Sequence, residues 1–341
     1  MPPADGAGAA AELADSPPGT AAQRRHAVHV LFVAGFGRSG STLLDRLLGS
    51  TPGLHSGGEL CSVWKMGLAG DELCSCGTHF SSCRFWRAAG DRSFSALRAD
   101  EIDGIAGYLR TVLPAREIWR FFIPRARRAL IRSAPAGFFD ATARLYESVQ
   151  EVSGQRVIVD SSKLASYLIL LAHMPSVNVH VVHLVREPRA VMHSWLRLPV
   201  ADPEGRALMP RFGAVKSAVL WLVMNAAAEL AARRMRLPYV RVRYEDLVRD
   251  PAGIVAGVRS GIASQHPGLA LGSVALAGEN ATELDQCHII SGNPMRFRHG
   301  PVAIAEDDEW KAGSRGRRAI AAAITLPLRW RYGYVTTPGR A

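Results

Sequence analysis

The first residues able to do chemistry lie in one short run, Gly35-Phe36-Gly37-Arg38-Ser39-Gly40-Ser41-Thr42. Glycines let the backbone come close to a ligand, Arg38 adds a permanent cation, and Ser39, Ser41 and Thr42 add hydroxyls. Where such a turn opens a helix, free backbone N–H groups converge and the helix dipole favours an anion. Gly35 and Gly40 have the spacing of the triphosphate-binding loop G-x-x-x-x-G-K-[ST], but Ser41 stands where its lysine belongs. The basic residue is Arg38, inside the turn, which speaks for a different phosphate geometry. The bland alternative is a tight strand-to-helix turn that binds nothing. Further polar residues follow at intervals: Glu59 after Gly57-Gly58, Lys163 after Asp160-Ser161-Ser162, Arg186 with Ser194 eight places on, and Tyr244 before Glu245-Asp246.

The elements around these residues repeat a pattern. Val28 to Ala34 is an apolar, β-branched run long enough for one buried strand, and from Ser41 a helix begins with Leu43, Leu44, Leu47 and Leu48 on one face. Arg156 to Asp160, Val179 to Val185 and Tyr239 to Tyr244 read as three more strands. Helices are expected from about Leu164 to His173, from Pro188 or Arg189, from Ala214 to Arg236 as a long amphipathic helix, and from Pro251 to Ser260. Strands alternating with helices predict an α/β fold: a P-loop-like, mostly parallel sheet flanked by helices on both faces. Ligands of such sheets sit beyond the carboxyl ends of the strands. That is where Arg38, Lys163, Arg186 and Tyr244 fall, and convergence of four strand ends on one edge is the strongest pointer to a site. Residues 61 to 90 read as loop, and Pro114, Pro124 and Pro135 break the helical patterns between Ile102 and Val149. His183 and His193 read as satisfied strand or helix residues.

The chain has 341 residues, a formal charge of +11, a sequence pI near 9.9 and 48% hydrophobic residues. A sizeable core is within reach, and the basic balance suits anionic partners. The arginines are scattered, without a lysine run or a basic–aromatic alternation, so nucleic acid is not expected. No apolar run reaches the roughly 18 residues of a membrane span. Met1 to Ala27, rich in Ala, Pro and Gly, reads as a mobile tail before a single domain from Val28 to Ala341. Arg24-Arg25 has the look of a twin-arginine signal, but the run after it is better used as the first strand, so a cytoplasmic protein is expected. Of the five cysteines, Cys74, Cys76 and Cys83 lie close together with His79 between. Zinc sites commonly open with two cysteines two to four residues apart, which Cys-x-Cys misses. Free thiols in a small loop are the favoured reading; zinc and a local disulfide stay open.

At this point the residues carry a family resemblance. Gly35-Phe36-Gly37-Arg38-Ser39-Gly40-Ser41-Thr42 resembles the 5′-phosphosulfate loop of sulfotransferases. Val185 to Trp195, with Arg186 followed by Ser194, resembles their 3′-phosphate motif, and Tyr244-Glu245-Asp246-Leu247 resembles the segment whose Tyr lies by the adenine. The likeness runs from about Val28 to Tyr334. It implies an enzyme that moves a sulfuryl group from 3′-phosphoadenosine 5′-phosphosulfate (PAPS) to a hydroxyl acceptor. Arg38, Ser39, Gly40, Ser41 and Thr42 would hold the 5′ end, and Arg186 and Ser194 the 3′-phosphate. Arg38 in place of a lysine places the chain nearer the carbohydrate, tyrosylprotein and bacterial branches. Glu59, 21 positions after Arg38, matches the base of the tyrosylprotein branch, and Lys163 matches a lysine that assists the transferring group. The run His288 to Gly300 resembles the late loop over the cofactor, with Arg296 or Arg298 reaching the 3′-phosphate. The cysteine group with Phe85-Trp86 also resembles a feature of a sulfotransferase subgroup. No metal is demanded, because the donor is already activated and the loop is cationic. Bland readings stand beside these: Lys163 as a helix-start lysine, Tyr244 as a core aromatic and Glu59 as a surface carboxylate or helix cap. The runner-up is a P-loop nucleotide kinase or NTPase, against which Ser41 and the lack of a magnesium-holding carboxylate other than Asp160 both count. The acceptor is not legible; its pocket is expected from residues 61–150 and 198–215.

Overall fold

In the computed structural model, which describes residues 27–197, 211–269, 271–272 and 281–335, the run Val28–Gly35 forms strand β1 at the centre of the main sheet. The expected tail falls almost wholly outside the described residues, as does the 198–210 stretch of the expected acceptor pocket. β2 is Leu54–Ser56, β3 Val157–Lys163, β4 Val177–Val185 and β5 Tyr239–Arg243, and the order across the sheet is β2-β3-β1-β4-β5. Every pairing in this sheet is parallel, so all five carboxyl ends lie on one edge.

Both faces of the sheet are covered, which is why the central strands read as unbroken apolar runs. Leu31, Val33, Val159 and Leu184 share one core with Leu44, Leu47 and Leu48 of helix Ser41–Gly49 and with Val255 and Val258 of helix Pro251–Gln265. Val30, Phe32, Ile158 and Val181 face the other way, onto helices Phe138–Ser153, Ala165–Ala172 and Ala214–Arg234. Each fully buried leucine in these layers is worth roughly 1.5–3 kcal/mol of apolar transfer. A two-stranded antiparallel ribbon, β6 (Ala281–Leu284) with β7 (Gly300–Ala303), stands apart from the sheet.

Several elements differ from the sequence expectation, among them the helices Val63–Leu68 and Arg84–Ser93, which form in or from the 61–90 stretch read as loop. β3 does not stop at Asp160 but runs on to Lys163. Leu54–Ser56, for which the sequence names no element, pairs with β3 as a short edge strand. Helix Ala214–Arg234 is apolar on more than one side: Trp221, Met224 and Ala228 are buried, while Val215, Val219 and Leu230 are exposed. It is also the one described helix long and apolar enough to cross a membrane, although half of its most apolar stretch is buried within the protein.

Candidate functional site

The turn after β1 is built around backbone that few side chains tolerate. Gly40, the residue before helix Ser41–Gly49, has φ 91°, and a Cβ there would come within 2.5 Å of the Tyr244 ring. Arg38 itself has φ 69°, in the left-handed region. Its guanidinium lies 5.4 Å from the Trp195 ring, and its buried Nε has no partner among the described residues. Burial first, and Arg197 second, hold its pKa below the ordinary arginine value. An anion in the cleft would relieve both effects. Ser39 is buried with its hydroxyl also unpartnered.

Glu59 and Lys163 reach the same place from the other side of β1. Phe32 pairs with Asp160 and Ala34 with Lys163, a step of two residues in β1 against three in β3, so β3 carries one extra residue at its end. Such a bulge re-aims a side chain. The buried Asp160 carboxylate holds it: Oδ1 accepts from Ser162 N at 2.8 Å and from Ser162 Oγ at 2.5 Å, and Oδ2 accepts from Tyr146 OH. Burial pushes the Asp160 pKa up to about 6, against those hydrogen bonds. Lys163, at φ 69°, then donates from Nζ to Glu59 Oε1 at 2.5 Å and to Ser161 O at 2.9 Å. Ser291 Oγ donates to Glu59 Oε2 at 3.3 Å.

The third group comes from β4 and the helix after it, Pro188–Leu196. Arg186 is nearly buried; it donates to Arg38 O at 3.2 Å, lies 4.3 Å from the Tyr244 ring and pairs with Asp307 at 3.2 Å. All three groups line one cleft of about 290 Å³, whose wall includes Arg38, Gly40, Ser41, Thr42, Glu59, Lys163, Arg186, Ser194, Tyr244 and Arg298. A second cavity of about 160 Å³ shares Arg186 and Tyr244 with it and adds Asp307, Trp310 and Tyr334.

Most residues singled out from the sequence are thus brought together at the carboxyl edge of the sheet, with two exceptions. Ser39 and Arg296 do not line the cleft. Arg296 is buried, donates to Gly292 O at 2.9 Å and lies over Phe297. Of the two late arginines, only Arg298 faces the cleft. His183 is a satisfied core residue, hydrogen-bonded to Asn225 and Tyr239. Sequence reasoning had Asn293 and Met295 only as members of the late loop, and it missed the wall from Val302 to Ala305. Asn293-Pro294 was a readable signal, since Asn293 Oδ1 accepts from Met295 N and caps a short 3₁₀ turn. Asp307 gave no signal, and Ser291 was marked only as part of the late loop.

No protein-family model and no curated protein sequence matches the chain. Among solved structures it is similar to the sulfotransferase domain of the Synechococcus PCC 7002 olefin synthase, at 20% identity over 95% of this chain and 98% of that one, TM-score 0.42. It is also similar to the sulfotransferase domain of the curacin biosynthetic pathway, at 18% identity over 88% of this chain and 97% of that one, TM-score 0.39. Likenesses this slight say nothing about chemistry.

Proposed function

We propose that this chain is a sulfotransferase that uses PAPS and an acceptor hydroxyl. One observation carries the reading: two separate arginine-centred anion positions, Arg38 with its turn and Arg186 with Ser194, share a single cleft with a carboxylate–ammonium pair. A donor with phosphate groups at both ends of one ribose needs two such positions. Arg38, with its unpartnered buried Nε, fits the 5′ end, and the nearly buried Arg186 fits the 3′-phosphate. Tyr244, which lines both cavities, offers an aromatic face for the base.

In this reaction the acceptor oxygen attacks sulfur in line, its proton passes to Glu59, and the S–O bond to the 5′-phosphate breaks with its electron pair leaving on the phosphate. Arg38 and the turn amides offset the charge that grows on the leaving oxygen, and Lys163 offsets charge on the sulfuryl oxygens. Against a nucleotide kinase or NTPase stand Ser41 in the lysine position and the Asp160 carboxylate, which is spent on its own strand bulge rather than open to a magnesium ion.

Calorimetry with 3′,5′-adenosine bisphosphate (PAP), adenosine 5′-phosphate and ATP tests the reading. One charge-assisted phosphate contact is worth roughly 1.5–3 kcal/mol, so loss of the 3′-phosphate costs at least about tenfold in affinity. Arg186→Ala should remove most of that preference. ATP bound more tightly than PAP would reject the proposal.

A further inference from the structure

Beside the cleft, four metal-ligating atoms meet. Cys74, Cys76, Cys83 and His288 each present one, all within 4.8 Å of one another. Cys76 Sγ lies 3.6 Å from Cys83 Sγ, and His288 Nδ1 lies 3.2 Å from Cys83 Sγ and 3.8 Å from Cys74 Sγ. Zinc–sulfur bonds of about 2.3 Å and zinc–nitrogen bonds of about 2.0–2.1 Å in a tetrahedron require edges of about 3.8 Å between sulfurs and about 3.5 Å from sulfur to nitrogen. A disulfide needs its sulfurs at about 2.0 Å, so these thiols are spaced for a shared ion rather than for each other. We propose that Cys74, Cys76, Cys83 and His288 bind one zinc ion in a closed, structural Cys₃His site.

The surroundings are those of a built site. Cys74 to Gly77 is a tight turn, with Gly77 N donating to Cys74 O and Cys74 N to Thr78 O, which turns Cys74 and Cys76 toward one point. The His288 ring stacks on Phe85 at 4.9 Å with planes 3° apart, and Phe85 stacks in turn on His55. Trp86 Nε1 donates to His288 O at 2.9 Å. Orientation of a ligand by its neighbours in this way is a usual property of metal sites. Ser75, between the first two cysteines, grips the late segment directly: its N donates to Ile289 O, its Oγ donates to Cys287 O, and it accepts from Ile289 N. The ligands come from two segments more than 200 residues apart, and binding sends the thiol protons to solvent. His79, the histidine nearest in sequence, instead hydrogen-bonds Asp71 O.

The ion would fasten the loop 72–85 to the segment 287–291, and that segment holds the surroundings of Glu59. Ser291 donates to Glu59, and Ile289 closes over Gly58, where a Cβ would come within 2.5 Å of Ile289 Cγ2. The site therefore acts as a clamp behind the cleft, whatever reaction the cleft performs.

The test uses the full chain, purified under reducing conditions from zinc-supplemented cells. Metal analysis should give about one zinc per chain, and replacement by cobalt(II) should give the intense sulfur-to-cobalt charge-transfer bands of a tetrahedral thiolate site. Cys76→Ser, at the most exposed of the three sulfurs, should lower zinc affinity at least tenfold, while Cys61→Ser should leave the zinc content unchanged. If Cys76→Ser fails to fold, the cobalt spectrum of the wild type decides. Zinc far below one per chain in replete protein, cobalt bound without charge-transfer bands, or a Cys76–Cys83 disulfide in the freshly isolated protein would each overturn the proposal.

Discussion

Replacement of Glu59 by Gln separates the chemistry from the architecture of the cleft. Gln keeps the shape and can still accept from Lys163, but it cannot take a proton and carries no charge. A general base contributes roughly 10²–10⁴-fold to rate, equivalent to about 3–5 kcal/mol of barrier. Turnover should fall by that factor on an aliphatic alcohol acceptor, and by less on an acidic phenol, which needs less help to lose its proton. The structure also sets a stability cost. Glu59 and Lys163 are 2.5 Å apart, with side chains 21% and 15% exposed. Exposed pairs are worth about 0.2–1 kcal/mol, and breaking a buried one costs about 3–5 kcal/mol. A partly buried pair falls between, so about 1–2 kcal/mol should be lost in denaturant unfolding. PAP affinity should stay the same or rise a few-fold, because Lys163 is freed toward the anion. Transfer of labelled sulfate, calorimetry with PAP and urea unfolding on the same preparation give all three readouts. A Gln variant that sulfates an alcohol at the wild-type rate would remove Glu59 from the mechanism. A variant that loses PAP binding together with turnover would make Glu59 a positioning residue for Lys163.

Two further outcomes follow from the geometry. Asp307 already holds Arg186, so on the proposed function a 3′-phosphate at Arg186 would compete with a carboxylate. Asp307→Asn should tighten PAP roughly fivefold, about 1 kcal/mol, with a larger gain at low salt; weaker binding would mean that Asp307 aims Arg186 instead of competing for it. Asp45, fully buried and accepting from Ser56 Oγ at 2.6 Å, has its pKa raised to about 7, burial being the main cause. A raised carboxyl pKa gives stability that is present below pH 4 and is lost as pH rises through about 7, by up to about 4 kcal/mol. Asp45→Asn should therefore gain on the wild type steadily from pH 4 to pH 7 in melting temperature, and a pH-independent difference would show that Asp45 does not titrate in this window.

The main sheet was readable because its central strands are buried on both faces and its polar residues collect where the strands end. β1, its turn and the leucines of helix Ser41–Gly49 follow directly from local pattern. The exceptions have physical reasons. Leu54–Ser56 is too short to show a period and holds its place by pairing with β3. The run of β3 past Asp160 depends on where the Asp160 carboxylate sends its hydrogen bonds, which chain order does not reveal. Arg296 and Arg298 are alternatives in a linear reading, and only the 3₁₀ turn at Pro294–Phe297 decides which one faces the cleft. The cysteine group lacked its fourth member because His288 lies on a distant segment, and spacing rules for zinc are local by construction.

The left-handed backbone at Arg38 and at Lys163, each with φ 69°, bears on how this protein can be engineered. A side chain other than glycine in that conformation costs on the order of 1 kcal/mol or more. Arg38→Gly would relieve the cost while deleting a cation from the cleft, whereas Lys163→Gly would also break the pair with Glu59 and so gain nothing. A library selected for heat resistance alone would thus enrich Arg38→Gly, which takes a cation out of the cleft. Any stabilisation campaign on this scaffold should hold Arg38 fixed.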